Sequence, residues 1–167
     1  TVGSADAEPI IRKALALGGD EAIRIDVNSN DSFFIAKQIA AVAKEGNYDL
    51  IFTGKETIDY NSASIGSMLS ALLDLPFVSL ANQFNCDGNT ATVRREIEGG
   101  EETCELNLPA VISCQKGMAE QRIPNMRGIM AARSKPLKVV SPIEATATTL
   151  IKKFDTPPAK SGVKLVD

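Results

Sequence analysis

The sequence predicts an α/β protein built on a doubly wound, mostly parallel sheet. Over the first 80 or so residues, short apolar strands alternate with amphipathic helical segments, and the strand YDLIFTG is apolar on both faces. Such alternation is typical of right-handed β-α-β crossovers, and a strand apolar on both faces is typical of the centre of a parallel sheet. After residue 85 the polarity alternates along the chain, which adds a β-hairpin to the prediction.

The N-terminal half divides into β-α units. TVG at residues 1–3 has the character of a strand end, and Pro9 opens an amphipathic helix that GGD ends. AIRIDV is a strand, and Asp31 or Ser32 caps the helix that follows it. YDLIFTG then leads through a polar loop to a helix beginning near Asn61, and FVSLA is the next strand.

The C-terminal half has a different pattern of polar and apolar residues. TATVRREI and ETCELNL alternate in polarity around Glu98-Gly99-Gly100-Glu101, which indicates a hairpin, and AVISC is a short strand. RGIMAARSKP predicts a short helix that stops before Pro136. The segment that continues to Phe154 is also expected to be helical.

We therefore expect one Rossmann-like α/β domain at residues 1–150. A chain that opens at the tip of a strand predicts a domain that is incomplete at its N-terminus. Residues 151–167 are expected to form an extended C-terminal arm or tail, because Pro157-Pro158 and Gly162 oppose regular structure.

Composition excludes several classes of protein. The net charge is −3, from 18 basic and 21 acidic residues, so the chain as a whole does not attract nucleic acid. No stretch is apolar over the length of a membrane span. The three cysteines lack metal-site spacing, so we expect each to pack as a small apolar residue in a reducing, cytoplasmic setting. Because there is no histidine, the usual hydrolase triads are excluded; we expect no catalytic residue and no metal ligand.

The polar loop after YDLIFTG supports two interpretations. In an α/β sheet, ligands bind at the carboxyl ends of strands, and a helix N-terminus attracts phosphate. Ser62 and Ser64 would add hydroxyl donors there, Asp59 would hold a ribose or fix the loop, and Lys55 would add a mobile charge. On the other interpretation, Asn61 or Ser62 simply caps the helix. The loop matches neither of the common glycine-rich phosphate motifs, so its residue types leave both interpretations open.

Three segments together resemble the electron-transfer flavoprotein β subunit, and the likeness runs through nearly the whole chain. TGKETIDYNSASIGSMLSALLDLP is similar to that family's nucleotide loop, and RIPNMRGIMAARSKP is similar to its partner-recognition segment. TVRREIEGGEETCELNLPAVISC resembles the family signature. The signature positions are filled by Arg95, Glu98, Gly99, Gly100, Glu102 and Pro109-Ala110-Val111-Ile112, while Cys104 replaces the usual aliphatic residue.

The resemblance implies an electron carrier rather than an enzyme. Its α-subunit partner would carry the redox-active FAD, and this chain would clasp that FAD, hold AMP or a second FAD, and dock flavin-dependent dehydrogenases without binding nucleic acid or inserting into a membrane. Arg95 and Glu96 would face the partner, with Glu96 orienting its mobile flavin domain, and Met126 would anchor a dehydrogenase. The implied nucleotide contacts are Val2, Gly54, Lys55, Glu56, Thr57, Ile58, Asp59, Asn61, Ser62, Ala63, Ser64 and Ile65.

The loop departs from both nucleotide patterns of the family. AMP-binding members usually have Thr where Ile65 stands, and members with a second FAD tend to have Asp, Thr and Gln at Asn61, Ser62 and Ser64. The choice between AMP and a second FAD therefore stays open. A free-standing adenine-nucleotide sensor, similar to a universal stress protein, is the alternative function; it would be expected to show a glycine-rich phosphate loop, which is not visible here. An ATP-splitting enzyme is a third option.

Overall fold

The structure is a computed structural model that describes residues 1–159 and Gly162. A short 3-10 helix at Ala5–Ala7 precedes the first α-helix. The helices are α1 (Glu8–Ala16), α2 (Ser32–Gly46), α3 (Ile65–Leu73) and α4 (Met126–Ala132). The strands are β1 (Ala22–Ile25), β2 (Leu50–Gly54), β3 (Phe77–Asp87), β4 (Thr90–Ile97), β5 (Gly100–Asn107), β6 (Ala110–Cys114) and β7 (Leu137–Val140).

The strands form two sheets. The larger sheet has the order β2-β6-β3-β4-β5, and the smaller sheet pairs β1 with β7. The β1–β7, β2–β6 and β3–β6 pairs are parallel, whereas β3–β4 and β4–β5 are antiparallel. This arrangement confirms the predicted Rossmann-like α/β fold with a hairpin added to a mostly parallel sheet.

Each sheet is covered by its own pair of helices. Helices α2 and α3 pack over the larger sheet, where Ala36, Ala40 and Leu69 meet Val111 of β6. Helices α1 and α4 enclose a separate cluster of apolar side chains beside the smaller sheet. The larger sheet thus positions the loop between β2 and α3, and the α1–α4 pair forms a second structural unit.

Several local predictions were wrong. Strand β2, expected at the centre of the sheet, lies at an edge of the larger sheet within the described residues. The helix expected near Asn61 begins at Ile65, because Asn61 has a left-handed φ of 52° that a helix does not admit. Cys86, expected to pack as an apolar residue, is exposed because it lies near the end of β3 beside the turn to β4.

The segment after β7 is not helical as far as Ala159, which contradicts the prediction of a helix continuing to Phe154. It is instead hydrogen-bonded to two buried side chains of α2 and its cap. Gln38 donates to the carbonyl of Ile143 at 2.9 Å and accepts from its amide at 2.8 Å. Residues 151–159 are exposed and have no regular structure. The arm at residues 151–167 stays a prediction, because residues 160, 161 and 163–167 lie outside the described part of the chain.

The second buried side chain in this attachment is Asp31, which confirms the predicted cap of α2. One carboxylate oxygen accepts the amide of Phe34 at 2.6 Å. The other oxygen accepts four hydrogen bonds, from the amides and hydroxyls of Thr148 and Thr149, at 2.7 to 3.0 Å. Burial alone would raise the pKa of Asp31, but these hydrogen bonds stabilise the carboxylate more and lower its pKa well below the ordinary range.

Candidate functional site

The polar loop lies where two helices begin close together. The loop spans Lys55 to Ser64, between the carboxyl end of β2 and the start of α3, and Ser32 is the first residue of α2. The Ser62 hydroxyl lies 2.8 Å from the Ser32 hydroxyl and 3.0 Å from the Ser64 hydroxyl. We call these three residues the hydroxyl chain. It joins the N-terminal ends of α2 and α3 and places polar hydrogens where both helix dipoles are positive.

The start of α3 has no capping side chain. Ser64 occupies the cap position, but its side chain makes no capping hydrogen bond. The first intrahelical bond runs from the amide of Met68 to the carbonyl of Ser64 at 3.0 Å, so the amides of the first turn have no acceptor within the helix. These amides are suited to hydrogen-bond an anion, because they lie at the positive end of the helix and have no acceptor within the part of the chain that the structure describes.

Gly66 allows this helix start to lie directly against the sheet. A Cβ at Gly66 would lie 2.8 Å from the Thr53 hydroxyl and 2.9 Å from the Phe77 ring, which is closer than side chains pack. The Thr53 hydroxyl is itself buried and has no hydrogen-bond partner among residues 1–159 and Gly162. A buried polar atom without a partner is uncommon in native structures. The end of β2 therefore carries a hydroxyl that can form a further hydrogen bond.

The middle of the loop is closed by its own hydrogen bonds. Thr57 donates its amide to the carbonyl of Ser62 at 2.9 Å, and the Thr57 hydroxyl accepts the Ser62 amide at 3.1 Å. The same hydroxyl donates to Asp59 and, together with the Tyr60 amide, lowers the pKa of that exposed carboxyl. The left-handed Asn61 turns the chain back toward Ser62. Asp59 is thus an ionised group that also stabilises the loop.

The structure brings only part of the predicted nucleotide set together. Thr57, Asp59, Asn61, Ser62, Ser64 and Ile65 lie in the closed loop or at the helix start. Lys55 pairs with its neighbour Glu56 at 3.0 Å on the surface, and Ile58 is fully exposed. The remaining predicted residues of this segment are Gly54, the last residue of β2, and Ala63, one residue before the helix cap.

Val2 lies apart from these contacts. It forms a parallel bridge with Ile25, and the neighbouring backbone groups of Thr1 and Gly3 hydrogen-bond to Ile25 at 2.8 and 3.1 Å. Among the described residues, no recorded hydrogen bond joins Val2 to the loop. Its predicted nucleotide contact therefore remains a prediction.

Two residues near the loop were missed by sequence reasoning. The sequence predicts Ser32 only as a helix cap, although it starts a helix that follows a parallel strand, and such helix starts gather at one edge of a sheet. Phe154 stacks on Tyr60 with ring centroids 6.3 Å apart and planes inclined by 18°. No signal in the sequence pairs these two rings, which are far apart along the chain.

The predicted partner residues Arg95 and Glu96 are neighbours on β4. Arg95 is half-buried and has two partners among the described residues, Glu102 on β5 at 2.6 Å and the Ser79 hydroxyl at 2.9 Å. Glu96 is exposed and accepts long hydrogen bonds of 3.5 and 3.4 Å from Asn82 and Gln115. Arg95 is therefore held in place within the protein, whereas Glu96 is accessible from outside.

The predicted anchor Met126 lies in another part of the molecule, on the α1–α4 unit. It is the first residue of α4 and is 74% exposed, so it is not a core residue. Asn125 caps α4 by accepting the Gly128 amide at 2.8 Å. Ile123, Ile129 and Met130 are also exposed, so Met126 lies in an apolar patch.

The described residues contain no cluster of three or more cysteine or acidic side chains arranged to hold a metal ion. They also contain no helix long and apolar enough to cross a membrane. The fold and the loop define a Rossmann-like α/β protein with a polar strand-to-helix loop at the edge of its larger sheet.

Comparison with known proteins identifies the family. The electron transfer flavoprotein domain matches residues 1–145. Relatives named electron transfer flavoprotein subunit beta are 36% identical in Syntrophomonas wolfei, over 99% of this chain and 66% of the relative, and 34% identical in Bacillus subtilis, over 83% and 55%. The human protein of that name is 32% identical over 98% of this chain and 68% of its own length. The chain belongs to the electron transfer flavoprotein family and spans just over half to two thirds of these relatives.

Proposed function

We propose that this chain is the β subunit of a heterodimeric electron carrier. In this role it pairs with an α subunit that holds the redox-active FAD, binds AMP or a second FAD at the loop before α3, and docks flavin-dependent dehydrogenases. The names of its relatives support the β-subunit role. When bound, the shared FAD supplies the electron chemistry, and this chain contributes binding and orientation.

The uncapped start of α3 carries the nucleotide part of the proposal. The phosphate would accept hydrogen bonds from the amides of Ile65 and Gly66, because no capping side chain satisfies them. It would also accept one from the Ser64 hydroxyl, whose other partner is the Ser62 hydroxyl. Ser62 and Ser32 would hold Ser64 in place through the hydroxyl chain. Asp59 is ionised and would accept hydrogen bonds from a ribose rather than contact the phosphate, since like charges repel.

Two serines in this region form a matched pair for a test. Ser62→Ala removes the centre of the hydroxyl chain. Ser67→Ala removes a hydroxyl in the first turn of α3 whose one hydrogen bond, among residues 1–159 and Gly162, is to the carbonyl of Ser64. Each variant would be expressed with the α subunit and purified, and the small molecule released on denaturation would be measured by mass spectrometry.

We expect Ser62→Ala to lower the occupancy of AMP or FAD and to weaken its binding by about fivefold, as for the loss of one hydrogen bond of about 1 kcal/mol. Ser67→Ala is expected to retain the wild-type occupancy. A wild-type complex that releases neither AMP nor more than one FAD would overturn the nucleotide proposal. Equal losses in both variants would assign the effect to the stability of α3.

The exposed position of Met126 supports the docking role. An unbranched, polarizable side chain adapts to the surface of a partner, and three quarters of this one is accessible. Met126→Ala is expected to slow electron exchange with a flavin-dependent dehydrogenase by about tenfold while leaving the nucleotide content intact. Met118→Ala is the matched control, because Met118 packs against the core of the larger sheet. Unchanged exchange in Met126→Ala would refute the anchor.

Glu96 is an accessible acidic residue of the hairpin, and we infer that it orients the α subunit's flavin domain. Its two hydrogen bonds are long, so little would be lost when it turns to a cation on the partner. Arg95 would contribute indirectly, because its bonds to Glu102 and Ser79 fix the end of β4.

A further inference from the structure

A groove of about 800 Å³ lies between α1 and α4, on the same unit as Met126. Prolines, alanines and an isoleucine form its apolar part, and the charged groups that line it within the described part of the chain are all cations. The lining residues that matter here are Pro9, Arg12, Lys13, Pro124, Ile129 and Arg133.

The two helices that form the groove are held at a fixed separation. Arg12 of α1 donates to the carbonyls of Ala132 and Lys135 at 2.8 and 2.7 Å, so it satisfies the C-terminal end of α4. Lys135 in turn donates to the carbonyls of Leu15 and Gly19 at 3.0 and 2.6 Å, at the end of α1. Arg12 on α1 thus satisfies carbonyls at the end of α4, and Lys135, which follows α4, satisfies carbonyls at the end of α1. Because these bonds hold the two helices together, the groove is a preformed surface.

The two outer cations of the groove have no acidic partner. Lys13 and Arg133 are exposed, and within residues 1–159 and Gly162 no carboxylate oxygen lies within 4.0 Å of either side-chain nitrogen. Glu8, the acidic residue of the first turn of α1, forms an ion pair with Arg24 at 3.1 Å. Among the described residues, no acidic side chain lines the groove. The positive charge there is local, since the chain as a whole is negative.

We propose that this groove receives an acidic segment of a partner protein, in which an apolar side chain lies between carboxylates. The apolar side chain packs against Pro9, Pro124 and Ile129, and the carboxylates pair with Lys13 and Arg133. The identity of the partner rests on the proposed docking function, because Met126 is on the helix that forms one wall of the groove. Charge complementarity of this kind mainly raises the rate of association and selects the partner.

Charge-reversal variants test the groove. Lys13→Glu and Arg133→Glu remove its positive charge, and Lys44→Glu, at an exposed site near the end of α2, is the matched control. The full-length protein would be used in the complex in which it purifies. The probes are fluorescein-labelled peptides of about 12 residues that combine Leu with Glu, Gln or Lys, and binding would be followed by fluorescence anisotropy at low and high salt.

We expect the Leu/Glu peptide to bind and to weaken as salt rises, with the double variant Lys13→Glu/Arg133→Glu at least about tenfold weaker and Lys44→Glu unchanged. The proposal is overturned if the Leu/Gln or Leu/Lys peptide binds as well as the Leu/Glu peptide, or if Lys44→Glu weakens binding equally. It is also overturned if hydrogen exchange shows the groove residues of the full-length protein already covered, since the occupant would then be the protein itself.

The two proposals fail separately. If Met126→Ala leaves dehydrogenase exchange unchanged while charge reversal abolishes peptide binding, the groove stands and the docking function falls. If Met126→Ala slows exchange but the double variant binds the Leu/Glu peptide normally, docking stands and the groove is refuted.

Discussion

Replacement of Asp31 separates two roles of one carboxylate, the cap of α2 and the attachment of the segment after β7. Asparagine keeps an oxygen for the Phe34 amide, so Asp31→Asn preserves the cap. Its amide nitrogen cannot accept the four hydrogen bonds that Thr148 and Thr149 donate to one oxygen. Asp31→Ala loses both roles.

The expected costs follow from these contacts. Hydrogen bonds to a charged group contribute about 1.5–3 kcal/mol each, but these four share one oxygen and order several residues, so their contributions do not add. We expect Asp31→Asn to lower the free energy of unfolding by about 2 kcal/mol and Asp31→Ala by about 1 kcal/mol more, for the lost cap. Urea denaturation would measure both, and hydrogen exchange would report release of residues 141–150.

The effect also has a defined pH dependence. The pKa of Asp31 lies below its ordinary value of 3.8 in the folded protein, so its stabilising contribution is fully present above that value and is lost as the pH falls toward the folded pKa. The stability difference between the wild type and Asp31→Asn should therefore shrink below about pH 4. A difference that is constant down to pH 3, or unchanged exchange of the Thr148 and Thr149 amides in Asp31→Asn, would refute the reasoning.

Three further substitutions test packing at other positions. Gly128→Ala would push a methyl group into the carbonyl of Ala16 and should cost about 1–3 kcal/mol in thermal or urea unfolding, since backbone cannot yield as a side chain does. Ser113→Ala leaves the amide of Leu80 without its 2.9 Å acceptor and should cost about 1–3 kcal/mol in the same assay, with a near-zero effect counting against a structural role for that bond. Arg95→Met keeps the aliphatic bulk but loses the ion pair across the hairpin and the bond to Ser79, and we expect a loss of about 1 kcal/mol that shrinks at high salt as the ion pair is screened.

The sequence predicted those features that depend on local pattern. Alternation of strands and helices gave the parallel units, and the glycine pair at residues 99–100 marked the β4–β5 turn. Asp31 was recognisable as one of two candidate caps, the other being Ser32, because capping involves residues three positions apart. The polar loop was placed correctly because it follows an apolar strand.

Non-local contacts explain what the sequence did not predict. Whether β2 is central or at an edge depends on which strands pair, and strand composition does not specify that. The start of α3 was misplaced because the bonds between Thr57 and Ser62 hold Asn61 in a left-handed conformation. The segment after β7 looked helical, but its amides are bound by side chains of α2 that lie more than 100 residues earlier.

The first turn of α2 connects the candidate site to the C-terminal segment. Asp31 holds Thr148 and Thr149, and the next residue, Ser32, holds Ser62 of the loop at 2.8 Å. A shift of this turn by about 1 Å would break hydrogen bonds on both sides, because such bonds weaken steeply beyond 3.5 Å. The loop also contacts the C-terminal segment through the stacking of Phe154 on Tyr60. The turn that holds the loop at Ser62 therefore also anchors the segment that carries Phe154.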